Sequence, residues 1–266
     1  MLENVWIAAL VAIFAWWFAT GVILLVVRRA DNSDGHLWAT LGNVPLLILG
    51  GTGAWITFTD TSLFGVYGAF FSALAIWGWI ELAFLTGVIA GPNRYPLRAG
   101  VPEWERFIRA WGTVAYHEVA LVMALMALSL FAYGMPNKFA FWTFAILYVA
   151  RISAKLNLYL GVRKVNTEFI PKPLVHVPSH FRESRINWLF PTSVTGLSFA
   201  VACFMERIAD APTPAAAIGF TLLAVMTALA LLEHWFMVVR LPDEKLWRWM
   251  LPKEQDTTSG GPENAL

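Results

Sequence analysis

The chain has 266 residues, of which 58% are hydrophobic and 14% charged, with a mean hydropathy of +0.59 and a formal net charge of +1. Soluble domains carry roughly a quarter charged residues, so this composition excludes a soluble globular protein, and the near-balanced charge gives no footing for a nucleic-acid partner. A lone cysteine, Cys203, excludes an internal disulfide framework, a cysteine-based zinc site and an intramolecular Cys-x-x-Cys pair; its apolar setting marks it as a small buried hydrophobe.

A hydrocarbon core about 30 Å thick needs roughly 20 apolar residues per crossing helix. Seven stretches meet that demand: Val5 to Val27, Leu37 to Phe58, Leu63 to Ala90, Thr113 to Tyr133, Phe139 to Leu160, Pro191 to Cys203 with its flanks, and Ala215 to Val239. The predicted fold is therefore all-α, a polytopic membrane helix bundle. The first stretch is not a cleavable signal peptide, because Glu3 precedes it and Arg28 and Arg29 follow it. In the second, Asn43 and Pro45 invite a kink, and Gly50, Gly51 and Gly53 with Gly65, Gly68 and Gly78 of the third offer small surfaces for close helix approach. Glu206 and Arg207 limit the sixth.

Basic residues sort by loop. Arg94, Arg98, Arg106 and Arg109 follow the third stretch, Arg163, Lys164, Lys172, Arg182 and Arg185 the fifth, and Arg240, Lys245, Arg248 and Lys253 the seventh, whereas the alternate loops hold Lys138 and Arg207. The positive-inside rule then predicts a periplasmic N-terminus and a cytoplasmic C-terminus in a bacterial inner, cytoplasmic or intracytoplasmic membrane. Residues 1–252 read as one membrane domain with a cytoplasmic loop over 161–190 and a short interfacial helix near 241–251; 253–266 read as a polar, disordered tail. Of the 14 tryptophans, Trp6, Trp38, Trp104, Trp142, Trp188, Trp247 and Trp249 fall near membrane boundaries, where amphipathic rings are favoured. Trp16, Trp17, Trp55, Trp77, Trp79, Trp111 and Trp235 fall deeper, where they serve core packing or line a surface for a flat apolar partner.

The chemistry concentrates in ionisable residues inside apolar stretches. Arg151 and Lys155, four apart, lie on one face of the fifth stretch together with Tyr148 and Tyr159. A charge at the bilayer centre costs about 2.5–3.5 kcal/mol, so such residues face a protein interior or wet cavity and have partners, unless Lys155 snorkels to the headgroups. Under the predicted topology Glu81, His117, Glu118, Arg151, Lys155, Glu233 and His234 all fall in the cytoplasmic half of the membrane. They form a candidate neutralising cluster, with Arg151 paired to Glu81 or Glu118. Above it the loop supplies Asn166, Glu168, His176 and His180. Such a cluster serves helix packing alone, a His/carboxylate iron site drawn from His117, His176, His180 and His234, or contact with a chlorophyll-type pigment through His117 or His234. Pro178 between His176 and His180 argues against one regular helix presenting both rings.

The stretches YHEVALVMALMALSLFAYG and AKLNLYLGVRKVNTEFIPKPLVHVPSHF, within Tyr116 to Phe181, resemble the photosynthetic complex assembly protein 2 (PuhE) family of purple-bacterial membrane proteins. The resemblance implies a place near the photosynthetic reaction centre and its light-harvesting 1 antenna, reaction-centre and antenna subunits or other assembly factors as partners besides lipid, and an influence on bacteriochlorophyll or precursor supply. It implies no catalytic residues. The expectation is an assembly factor without turnover of its own. The alternative is a membrane enzyme that uses iron, held by histidines and carboxylates, on a tetrapyrrole or isoprenoid.

Overall fold

Asn4 starts the first helix by accepting the Trp6 amide on its side chain at 2.8 Å. The computed structural model describes residues 4–165, 167 and 169–239. Helix α1 (Val5–Ser33) runs beyond the apolar stretch through Arg28 and Arg29 and stops at Asp34, whose φ of 50° leaves the helical region. The second span is two pieces, α2 (His36–Gly42) and α3 (Val44–Thr57), broken at Asn43. Pro45 lacks the amide that would bond the Leu41 carbonyl, and at the break the Asn43 side chain donates to Ala39 O at 2.8 Å.

Helix α4 (Leu63–Leu85) is capped by Ser62 and ends before the expected Ala90, because Thr86 caps it and Gly87 turns into the left-handed region at φ 75°. Helix α5 (Glu103–Ala132) begins ten residues before the expected Thr113, with Glu103 and Glu105 in a first turn whose free amides favour acids. Helix α6 (Phe139–Leu160) matches its stretch. Two short 3-10 turns follow, Lys172–Leu174 and Val177–His180. Helix α7 (Leu189–Ala209) continues through Glu206 and Arg207, since charges at a membrane boundary end burial, not helicity. Helix α8 (Pro214–Phe236) starts at a Thr213 cap with proline in its first turn.

With α2 and α3 counted as one span, the described residues hold seven helical segments long and apolar enough to cross a membrane, and no strand. The protein is an all-α, multi-pass membrane protein. Helices α4 and α8 bury half of their most apolar stretches inside the protein, the others about a fifth or less, so these two are the axis of the bundle. Helix α4 touches α1, α3, α5, α6 and α8. Its approach to α3 depends on missing side chains: a Cβ on Gly53 would lie 2.3 Å from Ser72 Oγ. Phe70, Leu121 and Phe144 fill the interior, while Leu10, Ile48, Val119 and Phe199 point outward, as a lipid solvent allows. Cys203 is half-buried, not enclosed. The helix expected near 241–251, the tail at 253–266, Asn166 and Glu168 lie outside the described residues.

Candidate functional site

Glu81 sits one turn from the end of α4 on the face that meets α6, and it is buried. From α6, Arg151 Nη2 donates to Glu81 Oε2 at 2.5 Å. One turn further along α6, the Lys155 ammonium donates to Glu118 of α5 and lies 5.3 Å from the centre of the Phe84 ring. Lys155 therefore does not reach for headgroups; it closes an ion pair. Two pairs thus tie three helices, each acid on one helix answered by a base on another, which is the arrangement a low-dielectric interior requires of charge.

His117, fully buried, precedes Glu118 on α5. Its Nε2 is 3.7 Å from Glu81 Oε1, beyond hydrogen-bond range, and its ring rests on Phe84 with centroids 4.4 Å apart. On α8, Glu233 Oε1 accepts the Trp16 indole N–H at 2.8 Å, which joins α8 to α1. His234 turns elsewhere: Nδ1 is 2.8 Å from Ala230 O and Nε2 is 2.8 Å from Ser153 Oγ. A carbonyl only accepts, so Nδ1 carries the proton, and in the neutral ring Nε2 accepts the serine hydroxyl.

The carboxylates and cations of this cluster border a cavity of about 800 Å³ between α1, α4, α5, α6, α8 and the loop after α6. Glu81, Glu118, Arg151, Lys155 and Glu233 form its charged patch; Trp16, Trp77, Trp111, Phe107, Tyr148 and Tyr159 give it aromatic walls. Helix α1 packs along α4 and α8, and α5 along α4 and α6, so α1 and α5 stand on opposite sides of the space. His117 and His234 do not line it. Three of the deep tryptophans do, and Trp79 instead donates to Thr40 O at 3.2 Å.

The loop covers the cavity with Phe169, Ile170, Pro171, Leu174, Val177 and His180. Several anchors hold it. Buried Arg106 donates through Nη2 to Tyr159 O at 2.7 Å and His180 O at 3.0 Å, and its guanidinium carbon stacks 4.1 Å above the Tyr159 ring. Asn187 donates to Asn157 Oδ1 at 3.0 Å and Gly161 O at 2.8 Å, while its own oxygen accepts the Leu189 and Phe190 amides that start α7. On the far side, Lys172 Nζ donates to Asp31 O at 2.6 Å, and Asp31 Oδ1 meets His36 Nε2 at 2.8 Å. Ser179 Oγ accepts the Leu97 amide at 2.9 Å and donates to His176 O at 2.7 Å. Burial pushes the His176 and His180 imidazoles below their ordinary range, and the nearby Arg94 and Arg106 charges push the same way.

Of the residues singled out from the sequence, Glu81, Glu118, Arg151, Lys155, Glu233 and His180 share the cavity, His117 lies behind it against Glu81, and His176 is buried in the loop. His234 bonds Ser153 away from the others. Among the described residues no three histidine, cysteine, aspartate or glutamate side chains come together as a metal-binding group, so His117, His176, His180 and His234 do not form one ligand set. Sequence reasoning missed Arg106, Asn157, Asn187 and the Trp16 contact to Glu233. The one available signal was the acidic start of α5 at Glu103 and Glu105, which extends that helix back to include Arg106.

A family model described as protein of unknown function (DUF3623) matches residues 2–258. The chain is 52% identical over 257 residues, 96% of its length and 94% of the relative's, to an uncharacterized 30.4 kDa protein in the puhA 5′ region of Rhodobacter capsulatus. No solved structure matches.

Proposed function

This chain belongs to the DUF3623 family, and from that premise we propose that it is an assembly factor for the photosynthetic reaction centre and light-harvesting 1 complex, acting by holding an amphipathic ligand such as bacteriochlorophyll or a precursor. The observation that carries this reading is the cavity of about 800 Å³, large, mostly apolar, rich in aromatic rings and supplied with a compact charged patch. The setting comes from the relative in the puhA 5′ region and from the likeness of Tyr116 to Phe181 to the PuhE family.

The protein's own residues define what the cavity does. Paired charges at Glu81–Arg151 and Glu118–Lys155 give hydrogen-bonding capacity without a net charge, so an amphiphile meets polar groups without an ion having to be desolvated alone. The aromatic walls suit a flat apolar body. With the basic loops on the cytoplasmic side, as the charge asymmetry favours, the cavity opens toward the inner half of an inner membrane. Its cover then presents exposed Arg163, Arg185 and Trp188 to partner proteins or delivered pigment.

The test uses a Rhodobacter capsulatus strain from which the relative is deleted and to which this chain is returned. The reading expects the deletion to lower the membrane content of reaction-centre and light-harvesting 1 complex, and the returned chain to restore it. It also expects the tagged chain to bring down complex subunits or pigment. Unchanged complex content in the deletion strain would overturn it.

A further inference from the structure

Arg28 lies near the end of α1, one turn before Asp31, and its Nη1 is buried without a hydrogen-bond partner. It lines a small cavity of about 60 Å³ together with Leu24, Val27, Asp31 and the loop residues Phe169, Ile170 and Pro171. Leu24, Phe169, Ile170 and Pro171 also line the 800 Å³ cavity, so the small space adjoins the large one under the edge of the cover. Asp31 does not answer the guanidinium: one of its carboxylate oxygens is 2.8 Å from His36 Nε2 and the other accepts the Lys172 amide at 3.3 Å. In the main cavity Arg151 Nε is also buried without a partner, but its guanidinium is paired with Glu81, as Lys155 is with Glu118. Among the described residues Arg28 is paired with no carboxylate, and its buried donor calls for an acceptor from outside the chain.

The space beside Arg28 is small, about 60 Å³ against about 800 Å³ for the main cavity, and suits a compact anionic head group such as a carboxylate with the ligand's body in the larger space. We propose that the joined cavities bind an amphipathic monocarboxylate, its apolar body along Trp16, Trp77 and Trp111 and its carboxylate on Arg28 beneath Phe169–Pro171. This rests on the main cavity being a ligand site. The two sources of such a group, a fatty acid and a carboxylate carried on a flat ring system, share the recognition chemistry and are separated by experiment.

The experiment measures quenching of tryptophan fluorescence in the purified full chain in nanodiscs. Two acid and ester pairs serve as probes: oleate with methyl oleate, and pyropheophorbide a with its methyl ester, at about pH 8.5, where a carboxylate is ionised. In at least one pair the acid binds roughly tenfold tighter than its ester, and the pair that shows the preference identifies the source. Arg28→Gln abolishes the preference, Arg28→Lys keeps much of it, and exposed Arg29→Gln keeps all of it. Equal binding of acid and ester in both pairs overturns the carboxylate site while leaving the cavity a ligand site. No binding of any probe overturns both. A preference that survives Arg28→Gln, with the variant's unfolding temperature unchanged, places the anion elsewhere and also overturns the proposal.

Discussion

Arg151 Nη2 lies 2.5 Å from Glu81 Oε2, joining α6 to α4 across 70 residues of sequence inside the membrane span. Glu81 is almost fully enclosed, whereas 37% of the Arg151 side chain remains exposed, on the cavity side. The pair is thus both a helix clamp and part of the cavity wall. Lys155 with Glu118 repeats the device one turn along, and the two pairs fix α6 against α4 and α5 where the cavity begins.

Removing the cation alone should be costly. Arg151→Met leaves Glu81 buried without its partner, and a loss of about 2 kcal/mol is expected, below the 3–5 kcal/mol of fully buried pairs because the guanidinium is partly exposed. The double variant Glu81→Gln/Arg151→Met should recover at least half of that loss, and exposed Arg163→Ala should change almost nothing. Thermal unfolding of the four proteins in one detergent checks this; equal, small effects for Arg151 and Arg163 would remove the buried pair from the account.

Asn187 ties the loop over the cavity to the end of α6 and the start of α7. Asn187→Ala removes donors to Asn157 and Gly161 and the acceptor for two amides of α7, worth about 1–3 kcal/mol together. Limited proteolysis should then cut within residues 162–186 several times faster, with the helices intact by circular dichroism. An unchanged cleavage rate would mean the loop is held elsewhere.

Acid should loosen the same loop. His176 and His180 have folded values depressed below the ordinary 6.5, with burial as the main cause, so the unfolded loop binds more protons than the folded one between the two values. Their contribution to stability is complete above about pH 7 and declines as pH falls through 6.5 toward the folded values. Hydrogen exchange of residues 172–181 should quicken from pH 7 to pH 5, after correction for intrinsic exchange, and His180→Gln should flatten the dependence. Exchange that is slower in acid would contradict the sign.

A glycine contact supplies a steric test. A Cβ on Gly91 would stand 2.1 Å from the Gly112 carbonyl, backbone that cannot swing aside, where the segment after α4 docks on α5 and Asn93 N donates to Gly112 O at 3.0 Å. Gly91→Ala should destabilise by at least about 1–3 kcal/mol, whereas Gly196→Ala, on an open face of α7, should cost nothing. Unfolding temperatures of the two variants decide it.

Much of the bundle was legible in the sequence because a membrane span needs only length and apolarity. Where prediction slipped, local chemistry at an element's end was responsible. Gly87 stops α4 early, and α7 carries Glu206 and Arg207 because a helix outlasts its apolar stretch, whereas the break at Asn43 and Pro45 falls where the sequence invited a kink. Ionisable residues in apolar stretches pointed to Glu81, Glu118, Arg151, Lys155 and Glu233, whose cost in lipid is visible without coordinates. His234 has the same signature, yet its two neighbours, Ala230 O and Ser153, satisfy it locally. Asn157 and Asn187 left no trace because polar residues near a membrane boundary are ordinary, and for Arg106 the acidic start of α5 signalled its place in the helix but not its contacts; only tertiary contacts show that the three hold the loop.

The most direct test fills the cavity without touching its charges. Ala154 lines the cavity on α6, while Val149 on the same helix is 59% exposed on its outer side. In the deletion strain, the chain carrying Ala154→Trp should reach the membrane at wild-type abundance yet fail to restore reaction-centre and light-harvesting 1 complex, whereas Val149→Trp should restore it. Full restoration by Ala154→Trp would contradict a role for the cavity in assembly.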